Sequence, residues 1–154
     1  MGAVEDRLAA AGYAVPEVVP PLAAYVPAVQ TGSLVFTAGQ LPFVKGELPA
    51  TGKLGGGVEI ETAKELAGVS ALNALGAIKA LIGDLDRITR IVKVTVFVAS
   101  VPDFSSQSAV ANGASELLGI AFGDAGIHAR SSLGVAVLPL DSPVEVELIV
   151  EVAA

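Results

Sequence analysis

Three groups of residues in this chain have types and spacing that suit chemistry. The first lies in the final apolar segment, Val144 to Val152. Its alternation puts Val144, Val146, Leu148, Val150 and Val152 on one strand face and Glu145, Glu147, Ile149 and Glu151 on the other. Three carboxylates on one face repel one another, and Ile149 is out of place if that face is fully wet. Burial of Glu145 beside Glu147 would raise its pKa, which suits a general base. A solvated sheet face is the plain alternative. The second group is Ala129-Arg130-Ser131-Ser132. The planar fork of Arg130 matches a carboxylate, so it either neutralises the glutamates or binds an acidic substrate. The third is His128, the one histidine. With no second histidine and no cysteine it cannot form half of a metal site, and no nucleophile elbow accompanies it. Gly55-Gly56-Gly57 lacks both the Lys-Ser/Thr of a phosphate loop and the spacing of a dinucleotide turn.

Composition narrows the classes further. The chain has 154 residues, of which 53% are hydrophobic and 16% charged, against roughly a quarter charged in an average soluble domain. That length suits one domain over residues 1–154, with residues 1–23 expected at its periphery. The absence of cysteine excludes disulfides and thiolate chemistry. Nine Lys and Arg against sixteen Asp and Glu leave a net charge of −7. That is a poor footprint for nucleic acid or an anionic membrane, so neither is expected as a partner. Arg87, Arg90 and Lys93 form the only local basic group, and it reads as a solvated strand edge. The long uncharged stretch from Val18 to Val44 is broken by Pro20, Pro21, Pro27 and Pro42, and Leu66 to Ile78 is too short to span a bilayer. With no basic, apolar leader at the N-terminus, a cytoplasmic location is expected. The surplus apolar surface then calls for self-association.

The elements that must position these residues follow from periodicity. Val4 to Ala11 reads as a short helix closed by Gly12. Tyr25 to Gln30 and Ser33 to Gly39 read as a hairpin about Thr31-Gly32, with Pro27 at an edge or bulge. Residues 41–57 form a loop rich in glycine and proline. Glu59 to Ile82 has apolar residues at helical spacing, glycines at 68 and 76 that permit close packing, and Gly83 as its stop. Ile88 to Ala99 is the clearest strand, with Val92, Val94, Val96 and Val98 on one face. A second long helix runs from Pro102 or Asp103 to Ile120. Ala129 to Val137 and Val144 to Val152 are read as a closing hairpin. The fold class is therefore α+β in two layers, a mixed β-sheet with both helices packed on one face.

Several of these segments resemble one family. Thr37-Ala38-Gly39-Gln40-Leu41-Pro42, Val92 to Val98 with Asp103-Phe104, Ala129 to Pro139 and Val144-Glu145-Val146-Glu147 look like the RidA (YjgF/YER057c/UK114) family over residue 24 to the C-terminus. The resemblance implies a chorismate-mutase-like fold and a homotrimer with clefts between adjacent subunits. It also implies hydrolysis of small enamines and imines, such as 2-aminoacrylate and 2-iminobutanoate, to 2-keto acids and ammonia, with no cofactor. By resemblance, Arg130 grips the substrate carboxylate and Glu145 places the attacking water. Tyr25 lines the cleft and the Gly39 backbone faces the ligand. The remaining cleft positions depart from the usual pattern. Ala38 stands where the deaminases have serine, Ser132 where they have cysteine, Ser108 where they have asparagine (Asn112 is one turn away), and His128 where many have proline.

Two readings follow. One is an imine/enamine deaminase; the other is a protein that binds a small carboxylate or imino acid without turning it over. A ribonuclease activity is disfavoured by the acidic charge and the single histidine. A closing hairpin turning near Asp141 would set Glu145 opposite Val137, roughly 20 Å along the strand from Arg130. That spacing favours a site between subunits. In a trimer, Phe97 and Ile149 on the outer sheet face would be buried.

Overall fold

The computed structural model describes residues 2–18 and 24–154, so the part of the uncharged stretch at residues 19–23 lies outside it. The helices are α1 (Ala3–Ala10), α2 (Ile60–Ile82) and α3 (Gln107–Phe122); the strands are β1 (Ala28–Thr31), β2 (Leu34–Thr37), β3 (Lys53–Leu54), β4 (Gly57–Val58), β5 (Ile88–Ala99), β6 (Ala129–Val135) and β7 (Val144–Val152). The main sheet is mixed, in the order β1-β2-β7-β5-β6, and β3 and β4 pair separately within the glycine-rich loop.

Alternation dictates the core. On β5, Val94, Val96 and Val98 are buried, and on β7 so are Val144, Val146, Leu148 and Val150. This face is covered by α2 and α3, giving the two-layer α+β arrangement. Among the described helices α2 alone is long and apolar enough to cross a membrane, and 67% of its most apolar stretch is buried inside the fold, so it is the core helix.

Three expectations are corrected. β6 and β7 are not a hairpin. β7 inserts between β2 and β5 and runs antiparallel to both, while β6 lies beyond β5 and parallel to it. The chain from β6 must therefore cross over β5, and Glu145 pairs with Phe97, not Val137. Second, Val92 does not share the core face. The register slips between Ile91 and Lys93, so Val92 is the extra residue of a bulge and Ile91 takes its place in the core. Third, α3 begins at Gln107, because Phe104 closes a turn on Val101 first and the Gln107 side chain ties back to the Phe104 carbonyl at 2.8 Å.

The first residues are also less peripheral than expected. Val4 and Leu8 of α1 belong to the core, at 3% and 0% exposure. The helix is fastened at its start by Asp86, whose carboxylate accepts from the Ala3 and Val4 amides at 2.8 and 3.0 Å. These two hydrogen bonds hold the Asp86 carboxyl below its ordinary pKa. Farther on, Pro16 and Val18 press against Gly76 of α2. A Cβ at Gly76 would lie 2.6 Å from the Pro16 carbonyl oxygen and 3.1 Å from Val18, so only glycine admits this contact.

Candidate functional site

Glu145 is placed by β7 and by a distortion of β2. Phe36 pairs with Ile149 and Gln40 with Val146, so the β2 side spends one more residue than β7 over this interval. Gln40 and Val146 exchange both backbone hydrogen bonds, at 2.8 and 3.0 Å. Within the bulge, the Leu148 amide is satisfied by the Thr37 hydroxyl at 3.0 Å, and the Ala38 amide donates to the Pro27 carbonyl at 2.8 Å. The bulge brings Gly39 against the carboxylate. A Cβ at Gly39 would lie 2.5 Å from Glu145 Oε1, so the approach requires a residue without a side chain.

Tyr25, Pro27, Gly39, Gln40, Pro139 and Glu145 are among the residues that line a cleft of about 330 Å³. Tyr25 is exposed at its mouth. Burial pushes the Glu145 carboxyl above its ordinary pKa, and the neighbouring Glu147 charge adds to this. This is the perturbation a general base working near neutrality requires.

Arg130 lies elsewhere. It pairs with Val94, which faces the helices, whereas Glu145 pairs with Phe97. Val94 and Phe97 are an odd number of residues apart on β5, so Arg130 and Glu145 are on opposite faces of the sheet. They also lie on opposite flanks of β5, about 10 Å apart across two strand spacings and about 10 Å along the strand. Arg130 therefore does not neutralise the glutamates of its own chain. Its guanidinium instead donates to Asn112 Oδ1 at 2.8 Å and to Ser115 Oγ at 3.1 Å, both on α3.

His128 completes this second cluster. Its Nδ1 is 2.6 Å from the Gly126 carbonyl, which can only accept, so Nδ1 carries the proton of the neutral ring. Nε2 then accepts from the Ser115 hydroxyl at 2.8 Å. Ser115 in turn accepts from Arg130, and the chain of bonds fixes the guanidinium. Ser132 is two residues along β6 on the same face as Arg130, pairing with Val96. Ser108 is exposed on α3, and among the described residues its side chain makes no hydrogen bond. Its spacing from Asn112 and Ser115 places all three on one helix face.

The expected site residues thus form two clusters. Tyr25, Ala38, Gly39 and Glu145 stand at one, and Ser108, His128, Arg130 and Ser132 at the other. Sequence reasoning missed Ser115 and underrated Asn112. The helical spacing from Ser108 was the signal that contained both.

The family model described as "YjgF/chorismate_mutase-like, putative endoribonuclease" matches residues 5–152. The chain is 40% identical to Protein TCP17 of Trypanosoma cruzi over 97% of its length and 94% of that protein. It is 34% identical to the 2-iminobutanoate/2-iminopropanoate deaminase of Salmonella typhimurium over 81% of its length and 84% of the enzyme. A crystal structure of an Agrobacterium tumefaciens protein of unknown function superposes with a TM-score of 0.91 at 41% identity, covering 98% of this chain and 94% of that one.

Proposed function

This chain belongs to the RidA (YjgF) family, and from that premise we propose that it is a hydrolase of small 2-imino acids working in clefts between the subunits of a homotrimer. The observation that carries this reading is the Glu145 carboxyl, its pKa raised by burial at a cleft beside Gly39, with no arginine among the described residues that line that cleft. A second copy supplies the missing cation. Arg130 of one subunit, held by Asn112 and Ser115, binds the substrate carboxylate in a bidentate fork. Glu145 of its neighbour takes a proton from water as the oxygen adds to the imine carbon, and hands that proton to the nitrogen; in the next step the same carboxylate relays the hydroxyl proton to the departing amine. Collapse of the resulting carbinolamine expels ammonia and leaves the 2-keto acid. Positioning and proton transfer are all the reaction asks, and both lie within reach of these side chains.

The test follows keto-acid and ammonia release from freshly generated 2-iminobutanoate, with sedimentation of the same sample. The expected result is a trimer whose turnover falls by a factor of about 10² or more in Arg130→Ala. Equal rates for the two proteins, or a monomer at micromolar concentration, would overturn the reading. The departures at Ala38, Ser108 and Ser132 support a second reading, a carboxylate-binding protein without turnover. It predicts ligand binding that depends on Arg130 and no keto acid from any imine.

A further inference from the structure

The cleft at Glu145 does not end at its own walls. Val18, Gln40, Leu41 and Phe43 line both this cleft and an adjoining hollow of about 570 Å³, whose remaining wall includes Pro16 and Asn73. Small-molecule pockets span roughly 300–1,000 Å³, so the hollow alone has room for a sizeable group.

Its chemistry is mostly apolar. The Asn73 amide nitrogen is already committed to the Leu41 and Phe43 carbonyls, at 2.9 and 3.1 Å, and the Gln40 amide nitrogen to the Ala38 carbonyl at 3.3 Å. The charged Glu17 and Lys45 also line the hollow, and both are exposed to solvent. A hydrocarbon chain satisfies these surroundings, and a charged one does not. The wall is also fixed in place, because Pro16 and Val18 are seated on Gly76.

We propose that this hollow receives the substrate's side chain, so that the preferred ligands are 2-imino acids with an extended apolar side chain, of the size of the leucine or norleucine imine. This assignment rests on the hydrolase reading for the reaction, but the pocket itself can be tested without turnover. A substrate of the pyruvate type, with only a methyl group, would leave the hollow empty.

The experiment is calorimetric binding of the product series pyruvate, 2-oxobutanoate, 2-oxopentanoate and 2-oxohexanoate to the full chain. Affinity is expected to rise by roughly fourfold for each methylene that enters the hollow. In Val18→Phe, which fills the space, and in Phe43→Ser, which makes its wall polar, the ratio of 2-oxohexanoate to pyruvate affinity is expected to collapse toward one. A flat series in the wild type, or a ratio unchanged in both variants, would overturn the proposal. Turnover of the pyruvate-derived and leucine-derived imines is measured in parallel. A rising affinity series without turnover of either imine would remove the hydrolase reading and leave the pocket standing. Turnover of both with a flat series would do the reverse.

Discussion

Arg130 and Glu145 are both half-buried, yet their surroundings are opposites. The guanidinium is surrounded by acceptors of its own chain, Asn112 and Ser115, with His128 behind them. The carboxylate has a glycine and a second carboxylate for neighbours, and its raised pKa has no hydrogen bond among its causes. On the proposed reading, the difference follows from what each group does. A cation that anchors a ligand works best when its geometry is fixed in advance, so two acceptors on Nη1 help it while its other N–H groups stay available to a carboxylate. A base must keep a high proton affinity, and every donor added to its oxygens would lower that affinity. One half of the site is therefore built by hydrogen bonding and the other by withholding it.

The most severe way to break this comparison is to separate the halves. Arg130→Ala and Glu145→Gln are each expected to lose a factor of about 10² to 10⁴ in kcat/KM. If the halves meet across subunits, refolding the two inactive variants together creates mixed trimers in which some clefts keep both groups. Activity should return to a substantial fraction of wild type. A mixture that stays as inactive as its parts would show that both groups act within one chain. A smaller effect is expected at the glycine. Gly39→Ala forces the carboxylate aside, since the new Cβ would lie 2.5 Å from Oε1. The predicted outcome is a fall in kcat of about 10² with binding of a keto acid nearly unchanged. Equal loss in both would place Gly39 in binding instead of base alignment.

The smallest effect is on stability. A raised carboxyl favours the fold in its protonated form. That contribution is fully present below about pH 4.5, the ordinary glutamate value, and is lost as pH rises through the folded value. Glu145→Gln removes the ionisation. It should therefore raise the melting temperature at pH 7 and leave it unchanged near pH 4. A variant destabilised at pH 7 would mean that the carboxylate is satisfied in the assembly after all.

Much of this was legible in the residues themselves. The boundaries of β7 follow from its unbroken alternation and those of β5 from its run of β-branched residues, and α2 follows from a helical apolar period with a glycine stop. Arg130 and Glu145 stood out because so few charges surround them. The strand order was not legible, because alternation states which face a residue takes but not which strand lies beside it. Leu138 to Pro143 has the composition of a turn whether it joins neighbours or crosses a strand. The bulges at Val92 and beside Gly39 were hidden for a related reason, since an inserted residue shows only against its partner strand. Likewise the contact of Pro16 and Val18 with Gly76 joins segments far apart in sequence. Gly76 marked a close approach without naming what approaches.

The fastening of α1 carries one more consequence. Leu8 is a plug in the core, Lys79 and Glu5 pair at 3.0 Å, Arg7 donates to the Ala121 carbonyl at 2.8 Å, and Asp86 caps the first turn. The leading segment touches α2, α3 and the turn between α2 and β5, so it works as a buckle. A protein trimmed to start near Tyr25 would not be a minimal version of this one. It would have an uncorked interior and would lose, in the same cut, Pro16 and Val18 from the wall of the hollow beside Glu145.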